Sequence, residues 1–124
     1  MDIKNYTVKD RIQKEYLNID KLEGCIAIIK RGILKEVNLS FAELIGFDKE
    51  ILLEKSLFNF VAPEGLFKIE EYYLKRLRGI EKNSFETILL NNNNEKIQVE
   101  ITMKHTRFYG EPADIAIIRE LKKI

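Results

Sequence analysis

The chain has no tryptophan, one cysteine, one histidine and two prolines among its 124 residues. A single cysteine, Cys25, excludes an internal disulfide and any zinc site built on cysteines. His105 has no second histidine and no nearby cysteine to share a metal with. Charge of one sign is also missing: 21 Lys and Arg stand against 20 Asp and Glu, a formal net charge of +1. The basic residues alternate with acids, so no field invites nucleic acid or an anionic membrane surface. The longest apolar run is Cys25-Ile26-Ala27-Ile28-Ile29, far short of the roughly 20 residues that span a bilayer. The N-terminus is charged and lacks the apolar stretch of a signal peptide. The expectation is a cytoplasmic protein without membrane insertion.

Catalytic signatures are absent too. No Ser-His-Asp order, phosphate-binding glycine loop or nucleophile elbow occurs. Glu70-Glu71 falls on the polar side of a helical stretch and Glu111 with Asp114 flanks a turn, so both pairs read as solvated carboxylates. An enzyme is not expected. What is present is a 45% apolar, 33% charged composition, enough for one soluble domain that buries roughly two-thirds of its unfolded surface.

Periodicity places the elements. Val8, Ile12, Tyr16, Ile19 and Leu22 recur at helical spacing with charges between them, which predicts an amphipathic helix over 1–22, stopped at Gly24. Two strands follow, 25–30 and 33–37, around an Arg31-Gly32 turn. Asn38 is placed to cap a short helix ending at Gly46, and Asp48 to cap another turn through Leu53. Ser56 to Val61 is ambiguous between helix and strand. Ala62-Pro63-Glu64 starts a longer helix, with Leu66, Ile69, Tyr73 and Leu77 marking one face and Gly79 ending it. Strands over 84–90 and 96–105 pair through an asparagine turn that tolerates left-handed backbone. The last strand covers 113–118. The first and last strands carry apolar residues on both faces, so both are central and neighbouring. Ile26, Ile28, Ala116 and Ile118 are then expected to form one stripe, covered by Ile12, Tyr16 and Ile19 of the first helix and by a second copy of the chain.

This order of elements resembles the PAS family. Asn38-Leu39-Ser40-Phe41-Ala42-Glu43-Leu44-Ile45-Gly46-Phe47 is similar to its segment after the second strand. Ser56-Leu57-Phe58-Asn59-Phe60-Val61-Ala62-Pro63-Glu64 resembles its run into a Pro-Glu helix start, and Phe85-Glu86 its third-strand opening. The resemblance spans 23–121. Glu54 stands where the family often has glycine, Asn94-Glu95 where it has Asp-Gly, and Glu120-Leu121-Lys122 where it closes on Asp-Ile-Thr.

The resemblance implies an α+β fold, a five-stranded antiparallel sheet with short helices on one face and the N-terminal helix outside it. It implies a sensory or regulatory module that signals through homodimer contacts, cut from or acting beside a histidine kinase or diguanylate cyclase. A small apolar ligand would lie on the concave face among Phe60, Ile69, Tyr73, Phe85, Val99, Ile101 and Met103, with Asn59, Thr87 and His105 as orienting polar groups. The alternative is a ligand-free dimerisation domain with a closed core. Neither haem nor flavin is expected. Haem-binding relatives carry their histidine in the helical segments matching 56–79, and light sensors carry their adduct cysteine in the segment matching 54–60. Neither residue is there, and Cys25 reads as core packing.

Overall fold

The structure is a computed structural model, and it describes residues 18–80 and 83–123. The stretch carrying Val8, Ile12 and Tyr16 lies outside them. The expected helix does not continue to Leu22: Ile19–Lys21 form a 3-10 turn, and Leu22 is already extended. Gly24 has the left-handed backbone foreseen for it, at φ 88°, but it feeds a strand rather than ending a helix.

Strand β1 (Cys25–Lys30) and strand β2 (Ile33–Val37) are joined by Arg31 and Gly32, both at positive φ (51° and 81°). That turn matches the twist of the strands it connects. Helix α1 (Leu39–Ile45) begins at Asn38, whose Oδ1 accepts the Phe41 N–H at 2.9 Å, and stops at Gly46. Helix α2 (Lys49–Leu52) starts after Asp48, whose side chain makes no capping bond. The ambiguous stretch resolves as a 3-10 turn, Leu57–Phe60, opened by Ser56. Helix α3 (Pro63–Leu77) follows, with proline in its first turn.

Strands β3 (Ser84–Leu90), β4 (Lys96–Phe108) and β5 (Glu111–Lys123) complete an antiparallel sheet in the order β2-β1-β5-β4-β3. The first and last strands are neighbours at its centre, as their two apolar faces require. β4 and β5 are longer than their hydrophobic patterns, pairing as far as Phe108 with Glu111. Alternation marks only the part of a strand that is covered, whereas backbone pairing continues past it.

The inner face of the sheet carries the main core. Ala27 and Ile29 of β1, Leu89 of β3, Val99 and Ile101 of β4 and Ala116 of β5 are at most 1% exposed beneath Phe41, Ile45, Leu52 and Ile69 of the helices. Each large side chain so buried contributes about 1.5–3 kcal/mol. The helix α3 face differs from its sequence reading: Gly65, Ile69 and Tyr72 are buried, while Leu77 projects past the sheet at 84% exposure. Gly65 brings α3 onto β3 backbone to backbone. A Cβ there would lie 2.4 Å from Thr87 Oγ1 and 2.7 Å from Ile88 N, so the close approach requires glycine.

The outer face holds a second apolar cluster. Ile26 and Ile28 of β1 and Ala113 of β5 are buried with Ile19, and Phe108, Ile115 and Ile117 lie partly buried beside them. Here the expected stripe is corrected by one residue of parity. Ala116 pairs with Ala27 and Ile118 with Cys25, and directly opposed residues share a face. Ala116 and Ile118 therefore belong to the inner core, and Ile115 and Ile117 take their place outside.

Candidate functional site

The residues expected to line a ligand pocket separate into three groups. Phe60, Ile69, Phe85, Val99, Ile101 and Met103 come together on the inner face, each 7% exposed or less, as members of one packed cluster. Tyr72 stacks on Phe85 with ring centroids 4.5 Å apart and meets Tyr73 edge-on at 5.2 Å. Tyr73 is less buried, yet its hydroxyl is shut away without a hydrogen-bond partner. Burial is the main cause that pushes this phenol up to about 12. Thr87 is the one expected polar group that is buried here, and its hydroxyl donates to Gly65 O at 2.7 Å.

Asn59 and His105 are not brought to that cluster. The 3-10 turn leaves Asn59 exposed. His105 keeps the inner parity of Met103, but at its level only the end of α3 covers the sheet, and its side chain is 84% exposed. Its partner is Arg76, whose Nη2 lies 2.9 Å from His105 Nδ1 and 2.6 Å from Asp114 Oδ1. A second guanidinium bond to Asp114 Oδ2 at 2.9 Å makes the contact bidentate. This is the strong geometry for an arginine–carboxylate pair. It clamps the C-terminal part of α3 to the start of β5. Alternating hydrophobicity gave no sign of the clamp, since both residues lie at pattern ends.

Asn38 does more than cap a helix. Its Oδ1 also accepts the Ile26 N–H at 3.0 Å, and its Nδ2 donates to Ile19 O at 3.2 Å and Gly24 O at 2.8 Å. Asp20 adds a bond from the Leu39 N–H at 2.7 Å. The N-terminal turn, β1 and α1 are thereby locked together through a side chain only 2% exposed. Capping statistics predict one of these bonds, and the long-range ones leave no sequence signature.

Cys25 sits at the rim of the inner core with Sγ 3.4 Å from Ser40 O. Burial first, then the nearby Glu120 and Glu43, push its thiol up. A thiol held protonated in this way is a poor nucleophile and metal ligand. Among the described residues no group of three His, Cys, Asp or Glu side chains could hold a metal ion. None of their helices is long and apolar enough to cross a membrane.

The chain is thus a five-stranded antiparallel sheet with its helices on one face and a second apolar cluster on the other. The PAS domain family model matches residues 23–121, and the chain belongs to that family. Its fold is similar to the PAS domain of a Desulfitobacterium hafniense protein, with a TM-score of 0.70 at 23% identity, over 84% of this chain and 98% of that one. The PAS domain of a two-component sensor histidine kinase gives 0.67 at 12% identity, over 94% and 98%. A light-oxygen-voltage domain studied with a flavin analogue gives 0.70 at 12% identity, over 84% and 82%. No curated protein matches the sequence.

Proposed function

We propose that the chain is the sensory or regulatory module of a cytoplasmic signal-transduction protein, acting without catalysis of its own. It binds a small ligand or a partner, assembles as a homodimer and relays its signal through the outer face of the sheet. The observation that carries this reading is the second apolar cluster, Ile26, Ile28, Ala113, Ile115 and Ile117, with Ile19 seated on it. A soluble monomer rarely leaves such a patch open. Ile19 is where residues 1–17 enter the domain, so that segment, with Ile12 and Tyr16, is the natural cover. A second copy related by a two-fold axis completes it. Asn38 gives the relay a route, because it joins Ile19 O on the outer side to the first turn of α1 on the inner side.

The filled inner face supports a second reading, a ligand-free dimerisation domain in which signals pass mechanically. The two readings differ in what accompanies the protein: mass spectrometry of the purified chain detects a small molecule under the first and none under the second.

Ile117→Asp in the full chain tests the surface common to both. Light scattering is expected to show the dimer dissociating at least tenfold more readily, with the circular dichroism spectrum of the fold retained. A folded variant whose dimer is unchanged removes the outer face from the relay.

A further inference from the structure

Helix α3 packs on the inner core through Gly65, Ile69 and Tyr72, and its opposite side is open. That open side is not polar throughout. Phe67 and Leu74 are 67% and 53% exposed there, with Leu77 beside them. Residues four apart form a continuous ridge on a helix surface, and the ridge through Leu74 reads Glu70, Leu74, Arg78. Arg78 follows the last residue of α3 but keeps the helical bond, its N–H donating to Leu74 O at 3.2 Å. Glu70 and Arg78 therefore stand about 6 Å before and after Leu74 along the axis.

The two charges of this ridge are unused. Other charges on α3 are engaged within the chain: Glu64 with Lys96, Glu71 with Lys75 and Arg76 with Asp114. Lys68 lies on the flank toward β3. Glu70 and Arg78 are exposed and make no side-chain hydrogen bond or ion pair among the described residues.

An acid, an apolar residue and a base at equal steps are their own complement when reversed. A two-fold axis beside Leu74 lays the ridge of a second copy antiparallel to the first. Leu74 then packs on its counterpart, and each Glu70 meets the Arg78 of the other copy. A parallel approach would set acid against acid and base against base. Ridges of this kind pack at a crossing angle of about 50°, the commonest arrangement of two helices.

We infer that α3 is a self-association surface whose occupant is a second copy of this chain, held through Glu70, Leu74 and Arg78. It lies across the sheet from the outer face, so the contact is separate from the proposed dimer and does not depend on it. Two-fold contacts on opposite sides of one chain carry assembly beyond a dimer. Few apolar side chains take part, so the contact is weak, with a dissociation constant on the order of 100 µM.

Sedimentation velocity of the full chain, from about 10 µM to 1 mM, tests it. Glu70→Arg and Arg78→Glu are each expected to weaken association about tenfold, because both symmetry-related pairs become repulsive. Combining the two reversals restores the match and recovers the original constant, with thermal unfolding checking that every variant stays folded. The same pattern is expected on an Ile117→Asp background, so loss or absence of the outer-face dimer leaves the result readable. Single reversals without effect overturn the proposal. So does a double variant no better than the singles, which would give the ridge to the segment before Asn18 or to a different protein.

Discussion

On the inner side of the sheet Leu89, Val99, Ile101 and Ala116 are completely buried under three helices. On the outer side Ile115 and Ile117, one residue out of step on the same β5 strand, are only partly buried. Both faces are built from the same few residue types, so composition does not distinguish them. Closure does. The inner face is closed by elements of the described chain, and its core accounts for a stable domain. Among the described residues the outer face takes its cover from Ile19, and under the proposed function the segment before it and a second copy complete it. A regulatory module needs such a division, with one face that holds the fold and another whose cover can change.

The sharpest way to break the comparison is to place the same charge on each face in turn. Ile118→Asp puts an unpaired carboxylate into the inner core, at a cost of several kcal/mol. Set against the 5–15 kcal/mol that holds a domain together, this leaves the chain largely unfolded at 37 °C by circular dichroism. Ile117→Asp, its neighbour, is expected to lose no more than about 1–2 kcal/mol in urea unfolding, because water can reach the introduced group. Equal losses at the two positions would mean that the faces are assigned the wrong way round.

That assignment is where the sequence was hardest to read. Strand existence was plain: Ile97, Val99, Ile101 and Met103 alternate with polar residues and face the core as expected. In β5 the run Ile115-Ala116-Ile117-Ile118 is apolar at every position, so no alternation tells one face from the other. The register with its neighbours does, through Cys25 of β1 and Ile101 of β4 opposite Ile118. The candidate site was half legible for a related reason. Hydrophobic members such as Phe85 and Ile101 follow from periodicity, but Asn59 comes from the stretch ambiguous between helix and strand and is left outside by the 3-10 turn, and His105 follows from strand parity where only the end of α3 covers the sheet. Contacts spanning many residues, such as Asn38 with Ile19 or Arg76 with Asp114, arise from tertiary geometry and leave no local pattern.

A smaller effect sharpens the comparison where the two faces meet. Asn38 binds Ile19 O from the outer cluster and the Phe41 N–H above the inner core. A lost cap alone costs about 1 kcal/mol. Asn38→Ala also strands the buried Ile26 N–H and two carbonyls that Nδ2 now satisfies, so the expected loss is about 2–4 kcal/mol in chemical denaturation. Amide hydrogen exchange should rise at both Ile26 and Phe41. A rise at Phe41 alone would reduce Asn38 to a helix cap and uncouple the two faces.

The smallest effect serves as a control, because Glu54 touches neither face. It stands where PAS sequences often carry glycine, and the structure supplies the reason: its φ is 67°. The left-handed backbone lets its N–H reach Leu34 O at 2.8 Å and lets Lys55 O accept the Leu34 N–H at 2.8 Å, so the chain crosses the edge of β2. A non-glycine residue in that conformation costs about 1–2 kcal/mol. The exposed Lys35–Glu54 pair at 2.9 Å returns no more than about 1 kcal/mol. Glycine removes the strain but loses that pair and gives the unfolded chain more freedom. Glu54→Gly is therefore expected to raise stability by about 0.5 kcal/mol. Glu54→Ala keeps the strain, loses the pair and should fall by a similar amount. The informative quantity is the difference of about 1 kcal/mol between the two variants in thermal unfolding, with the dimer equilibrium of both unchanged. If alanine proves as good as glycine, backbone strain is not what the family glycine relieves. A shifted dimer equilibrium in either variant would mean that the edge of β2 communicates with the outer face.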